Sequence, residues 1–154
     1  MSATDPTGGP TVGQVMSPYA PCVGEDVTLA EAAAILTGCG LSAISVCDEE
    51  GTATGVVTDR DIARAIARGE DPWMLEPAAM RTGHGDDLRP LHPDDALQDA
   101  ISIMVRHQLW HLPVTLQDEP VGTLHLADVL ALEPAPQSHK LPHITAKAGA
   151  QPTP

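Results

Sequence analysis

The chain carries the same pattern twice. Gly55-Val56-Val57-Thr58-Asp59-Arg60-Asp61 has the shape of Gly122-Thr123-Leu124-His125-Leu126-Ala127-Asp128, at an offset of 67 residues. Upstream, the run from Asp26 to Ala32 aligns with the run from Asp94 to Ala100, at an offset of 68. At that offset Asp26/Asp94, Leu29/Leu97, Ala32/Ala100, Ile35/Ile103, Leu41/Leu109 and Val46/Val114 are identical. Val23/Leu91, Glu31/Asp99, Leu36/Met104 and Ile44/Leu112 are conservative. The change of offset falls between Val46 and Gly55, in a turn, where insertions are tolerated. Repetition of this kind makes the fold two copies of one unit of about 60 residues, reading strand, helix, strand, strand, helix.

The junction at Thr58 is the most chemical part of the first copy. A Gly and two β-branched residues run straight into the helical pattern that starts after Thr58. Thr58 is a good N-cap, and Asp61, three residues on, is close to a capping box. A helix start presents unpaired N–H groups and a partial positive charge, so it can hold a phosphate or a ribose-phosphate. A cap hydroxyl and a carboxylate one turn in suit phosphate and ribose hydroxyls respectively. The same two residues also serve as a cap and nothing more, and the motif alone leaves both readings open.

The remaining elements follow in order. Residues 1–11 are small and Pro/Gly-rich and read as a disordered tail. Residues 12–75 form the first repeat. Its pieces are a short helical lead-in to Met16, a strand at Pro21-Cys22-Val23, and a helix opened by the capping box Thr28/Glu31 and ended by Gly38 and Gly40. A strand from Leu41 to Val46, a turn at Asp48–Gly51, a return strand Thr54–Val57 and a helix Thr58–Arg68 complete it. Residues 76–133 form the second repeat, with Met80 matching Met16 and extra residues absorbed by the loop Thr82–Asp87. Its strand at Pro90-Leu91 precedes a helix Leu97–His107 capped by Asp94 or Asp95. Strands Leu109–Thr115 and Val121–Leu124 and a helix Leu126–Leu132 follow. Residues 134–154 read as a second disordered tail.

Composition then narrows the function. Phe is absent, and Trp and Tyr together number three, so the core is aliphatic. Eight basic residues against 21 acidic give a formal net charge of −13, without a basic cluster in the sequence. That argues against nucleic acid and against an anionic membrane surface as partners. No apolar run approaches membrane-spanning length and no signal pattern opens the chain, which places it in the cytoplasm. No Cys pair has zinc spacing, and no nucleophile, base and orienter can be assembled, so neither a metal nor catalysis is expected. His107 and His111 are four apart, but a strand begins between them.

Tandem copies ending in Gly-h-h-Thr-x-x-Asp or a variant (h, apolar) resemble the CBS-domain pair, or Bateman module. The resemblance runs from about Val12 to Leu132. Val15-Met16, Ala79-Met80, Leu112-Pro113-Val114 and Thr58-Asp59-Arg60-Asp61-Ile62 support it. Cys22-Val23-Gly24-Glu25 carries a closer likeness to the small stand-alone actinobacterial proteins of the mycobacterial hypoxic-response type. The resemblance implies an α/β (α+β) fold, in which each repeat is a small three-stranded sheet with two helices, packed to its sister about a pseudo-two-fold. It implies a regulatory module whose clefts bind AMP, ADP, ATP or S-adenosylmethionine, acting through a partner protein.

Residue by residue, the resemblance assigns Asp61 to ribose hydroxyls and Thr58 to ribose or phosphate. Ser42, Ala43 and Ile44 stand where family strands line an adenine slot, with Ser45 in place of the usual Pro. Arg60 either reaches a phosphate or is a solvated helix arginine. The second copy departs from the pattern: Asp128 is retained but His125 replaces the hydroxyl residue. Trp110 and His111 stand where related modules carry phosphate-meeting basic residues, so the second site looks degenerate. Without a basic clamp, the acidic surface favours AMP or a neutral adenosine compound over ATP.

Two further expectations concern assembly and redox. Ala32, Ala33, Ala34 and Ala100 allow close helix approach, and apolar helix faces left exposed imply a homodimer. Cys22 and Cys47 lie on strands joined by a helix, hence parallel and commonly adjacent, at a spacing a disulfide tolerates. Such a pair makes a ligand-free, redox-responsive dimer the alternative function. Two unrelated small residues at strand edges is the other reading, since cytosolic thiols are normally reduced.

Overall fold

Ten elements follow one another as α1 (Val12–Val15), β1 (Cys22–Gly24), α2 (Leu29–Cys39), β2 (Ala43–Cys47), β3 (Ala53–Thr58), α3 (Asp59–Ala67), α4 (Leu97–His107), β4 (His111–Leu116), β5 (Glu119–His125) and α5 (Leu126–Leu130). They come from a computed structural model that describes residues 8–77 and 88–132. The tails, Met80 and the loop Thr82–Asp87 lie outside the described residues or extend beyond them.

In the first repeat β1 pairs parallel with β2, and β2 pairs antiparallel with β3. The hairpin turn is closed by Gly51 N–H donating to Asp48 O at 3.0 Å, and Gly51 takes φ +85°. Helix α2 opens on the expected box: Glu31 N–H donates to Thr28 Oγ1 at 3.1 Å and Thr28 N–H to Glu31 Oε1 at 3.2 Å. Gly38 stays inside α2, and the stop is Gly40 alone, at φ +69°.

The second repeat departs from expectation twice. Its sheet has two strands, β4 and β5, and the predicted strand at Pro90-Leu91 is a single parallel bridge from Leu91 to Val114. Leu91 N–H donates to Pro113 O and Thr115 N–H to Leu91 O, each at 2.8 Å. The bridge cannot lengthen, because the next donors of a parallel ladder would be the N–H groups of residues 93 and 113, and both are proline; beside it, the His92 N–H is taken by Asp95 Oδ2 at 2.9 Å. That engagement also removes Asp95 as the cap of α4, and Asp94 does not replace it. The N-cap is Ala96, without a side-chain bond. The Leu97 N–H instead donates to Pro10 O at 3.0 Å.

The acceptor of that bond reveals a crossed packing. The lead-in at residues 10–17 precedes the first repeat in sequence but packs on the second. Val12 N–H reaches Asp95 O at 3.0 Å, and Ser17 and Thr123 exchange two bonds of 2.9 Å. Gly122 permits this approach: a Cβ there would lie 2.4 Å from Ser17 O. The repeated Gly is therefore a close-contact residue, and the two units are strapped together by the chain itself.

Two aliphatic clusters form the core. Val23, Leu29, Leu36, Ile44, Val46 and Val57 anchor one, and Leu91, Met104, Leu112, Val114 and Leu124 the other. Ala43 and Val56 of the first sheet belong to the second cluster, so the sheets meet face to face with β2 against β4. Ala32 and Ala100 are fully buried inside their own repeats and offer nothing to a second molecule, contrary to the dimer role expected of them. Among the described residues no helix is long and apolar enough to cross a membrane.

Candidate functional site

Strand β3 delivers Thr58 to the start of α3, where the capping box forms in full. Thr58 N–H donates to Asp61 Oδ2 at 2.9 Å, and Asp61 N–H donates to Thr58 Oγ1 at 3.1 Å. Both residues are almost wholly buried, Thr58 at 3% and Asp61 at 2% exposure, so water cannot substitute for these bonds. A carboxylate held this way is a fixed, pre-oriented acceptor at the positive end of a nine-residue helix.

The space beside it lies between the repeats. A depression of about 60 Å³ is lined by Thr58, Arg60, Asp61 and Arg64 from the first repeat, and by Arg106, His107 and Gln108 from the end of α4. Gln108 takes φ +57° and turns the chain back across the cleft, where the Arg60 guanidinium donates to Gln108 Oε1. Leu88 forms a wall common to this depression and to a larger cavity of about 390 Å³. Thr54, Gly55, Val56, Arg89 and Pro90 line the larger one. Sequence reading missed Arg106, His107 and Gln108, because they come from the other repeat.

The expected adenine slot is not formed by the residues proposed for it. Ile44 points into the first core cluster and Ala43 packs in the second, each 1% exposed. Ser42 is instead a junction between the repeats. Its N–H donates to His111 Nδ1 at 3.0 Å, and its hydroxyl accepts from Trp110 N–H at 3.2 Å and His111 N–H at 3.1 Å. Its carbonyl accepts from Asp59 N–H at 3.0 Å, tying the junction to the first residue of α3. A backbone N–H is an obligatory donor, so His111 Nδ1 carries a lone pair and the neutral ring holds its proton on Nε2.

The second motif is degenerate in geometry as well as in sequence. His125 is the N-cap of the five-residue α5 and makes no side-chain cap bond, and Asp128 is exposed. The His125 ring meets His111 edge to face, with centroids 4.9 Å apart. Burial holds His111 below the usual histidine range, His125 pushes the same way, and Asp59 opposes both. Trp110 is 62% exposed and lines neither cavity described above. Among the described residues no group of three or more His, Cys, Asp or Glu side chains could hold a metal ion.

Strands β1 and β2 are parallel neighbours as expected, but the register sets Cys22 opposite Ser45 and Cys47 opposite Gly24. The cysteines are diagonal rather than directly opposed, and both are free thiols. Burial, together with a hydrogen bond to Cys22, pushes the Cys47 thiol up to about 12.

Comparison with known proteins places this geometry. The family model described as "CBS domain" matches residues 12–68 and again 80–134. The CBS domain-containing protein YhcV of Bacillus subtilis is 33% identical over 120 residues, 77% of this chain and 82% of its own. Hypoxic response protein 1 of Mycobacterium tuberculosis is 28% identical over the same coverage. A crystal structure of Hypoxic Response Protein I with two coordinated zinc ions superposes with TM-score 0.65 at 26% identity, over 80% of this chain and 99% of that one. The CBS-domain pair of protein MJ0100, in complex with methylthioadenosine and S-adenosylmethionine, shares the fold at TM-score 0.63 and 21% identity, over 79% of this chain and 94% of that one.

Proposed function

The chain belongs to the CBS-domain family as a tandem pair of repeats, and on that premise we propose that it is a regulatory sensor whose cleft beside Thr58 and Asp61 binds an adenosine-containing ligand. One observation carries the reading: a buried, pre-oriented carboxylate at a helix N-terminus opens onto a cavity bounded by both repeats. Asp61 accepts from the ribose hydroxyls, and Thr58 and the N-terminus of α3 face the phosphate side. The larger cavity, at about 390 Å³, has the size of a small-molecule site and takes the base. The MJ0100 pair, which holds adenosine compounds on the same fold, supports the ligand class. Ligand binding across two repeats changes how they sit together, and a partner protein reads that change.

The module works as a homodimer. Ile66, Val105 and Leu130 are 55%, 65% and 50% exposed on α3, α4 and α5, which is apolar helix surface of the kind that interfaces cover. Two experiments test the reading. Calorimetry with AMP, ADP, ATP and S-adenosylmethionine gives saturable binding to the wild type and binding weakened about tenfold in Asp61→Ala. Light scattering gives a mass near twice 16.1 kDa. No heat with any adenosine compound, and none recovered by mass spectrometry from native protein, overturns the ligand reading.

A second reading rests on the diagonal thiols. Cys22 hydrogen-bonds Cys47 on the neighbouring strand, so a small shift in β1 would let the two be oxidised to a disulfide. In that reading the chain is a redox-responsive dimer without a ligand. Thiol counting that still finds three free cysteines after mild oxidation of the folded protein removes it.

A further inference from the structure

Ser42 and His111 meet where β2 packs against β4, one just before β2 and the other at the first position of β4. Ser42 N–H donates to His111 Nδ1 at 3.0 Å, and Ser42 Oγ accepts from Trp110 N–H at 3.2 Å and from His111 N–H at 3.1 Å. Both lone pairs of the Ser42 hydroxyl are thereby taken, and its own proton is left to share the same Nδ1 at 3.2 Å. The arrangement admits one protonation state of the ring. A proton on Nδ1 would face the Ser42 N–H and O–H and find no free acceptor on Ser42. Ser42 is 6% exposed, so its N–H, once deprived of its acceptor, has no ready substitute in water.

The ionisable groups that face the ring come from β5 and α3. The His125 ring packs edge to face on it from β5, with centroids 4.9 Å apart, and a proton on either ring opposes one on the other. Asp59, exposed at the first position of α3, pulls the other way. The Ser42 end of β2 brings no ionisable side chain. Burial and His125 prevail, so His111 titrates below the usual histidine range. The same junction holds the starts of both motif helices. Ser42 O accepts the Asp59 N–H at 3.0 Å at the start of α3, and Trp110 O accepts the Leu126 N–H at 2.8 Å at the start of α5. Ser42 and Trp110 are equivalent positions of the two copies, at the offset of 68. Each repeat thus gives the same carbonyl to its own helix, and the bonds between Ser42 and β4 fasten the two together.

We propose that His111 is a proton-operated latch between the repeats: as a neutral ring it fastens Ser42 to β4, and once Nδ1 takes up a proton Ser42 is released and the starts of α3 and α5 shift apart. The device needs no ligand, and it stands independently of the adenosine reading of the cleft beside Thr58. Its sign follows from the hydrogen bonds. The latched form has no place for the proton, whereas the released form takes it at the ordinary histidine value, so the latch is closed above about pH 6.5 and opens as pH falls. Opening grows by up to about tenfold per pH unit until the lowered value of the closed form is reached.

The test is amide hydrogen exchange on the full chain, read by ¹⁵N NMR between pH 7.5 and 5 and corrected for the intrinsic pH dependence of exchange, with the His111 ring nitrogens followed in parallel. The ring is expected to carry its proton on Nε2 at pH 7.5. Protection of the Ser42, Trp110 and His111 amides is expected to fall about tenfold by pH 5, in step with protonation of Nδ1. Ala32, whose N–H donates to Thr28 O inside α2, keeps its protection. The Asp59 and Leu126 amide shifts follow with the same midpoint. His125→Gln removes a group that opposes the proton and moves the midpoint to higher pH. His111→Gln offers an acceptor that does not titrate and makes Ser42 protection independent of pH. Flat Ser42 protection in the wild type overturns the latch, as does a fall that persists in His111→Gln or that Ala32 shares, or a neutral ring with its proton on Nδ1. Should His111→Gln fail to fold, the wild-type ring and His125→Gln decide: a Ser42 midpoint that differs from that of the ring, or that His125→Gln leaves unmoved, overturns it.

Discussion

Asp61→Ala separates what the carboxylate does for the fold from what it does for a ligand. In the folded chain Asp61 Oδ2 accepts from Thr58 N–H at 2.9 Å, in a place where both residues are essentially dry. Truncation leaves that N–H buried without its acceptor, which costs about 1–3 kcal/mol. Loss of a negative charge at the N-terminus of α3 adds roughly 0.5–1 kcal/mol. The sum is about 1.5–4 kcal/mol, and at roughly 4 °C per kcal/mol for a domain of this size Tm falls by about 6–16 °C. Asp61→Asn keeps an acceptor oxygen and loses only the charge, so its Tm falls by about 2–4 °C. Thermal melts followed by far-ultraviolet circular dichroism measure both. If Asp61→Ala melts within 2 °C of wild type, or the two variants melt together, the buried box does not stabilise α3 and the argument fails.

Three further outcomes follow from the same geometry. The Ser45 hydroxyl is buried without a hydrogen-bond partner among the described residues, so Ser45→Ala should raise Tm, by the equivalent of about 1 kcal/mol; a drop of that size would mean the hydroxyl is satisfied. His111 titrates below its ordinary value in the fold, so the unfolded chain takes up the proton first as pH falls. The stability it contributes is complete above about pH 6.5 and drains away as pH drops through the lowered folded value. The Tm advantage of wild type over His111→Gln should therefore shrink between pH 7.5 and 5, and parallel curves would show that burial does not hold the His111 ring neutral. A thiol reagent at pH 8 should label exposed Cys22 long before Cys47, whose thiol stays protonated; equal rates would show that β2 is not closed over Cys47.

Much of the fold was legible because repetition makes each copy a check on the other. The Thr28/Glu31 and Thr58/Asp61 boxes are local, spanning three residues, and both formed as the residue types demand. What failed was decided at long range. Asp95 has the chemistry of a cap but is captured by the His92 N–H, while Pro10, 87 residues before Leu97, supplies the acceptor. Ile44 lies on a strand of the expected kind, yet alternation on a sheet buried on both faces sends it into the core. The neighbouring of Cys22 and Cys47 followed from the strand order, but their diagonal placement depended on register, which a stagger of two residues changes without altering that order. Arg106 was invisible as a site residue because nothing within its own repeat points to a ligand. Only the packing of α4 against the cleft brings it to Thr58.

The central claim is that one of the two clefts, the one built on Thr58 and Asp61, is the ligand site. Titration of ATP into uniformly ¹⁵N-labelled protein, followed by amide chemical shifts, tests it most directly. The expected result is saturable shifts concentrated on Thr58 to Arg64 and on Arg106 to Leu109, with His125 to Asp128 nearly unmoved. Shifts centred on His125 to Asp128, or a spectrum that ATP leaves unchanged, would contradict it.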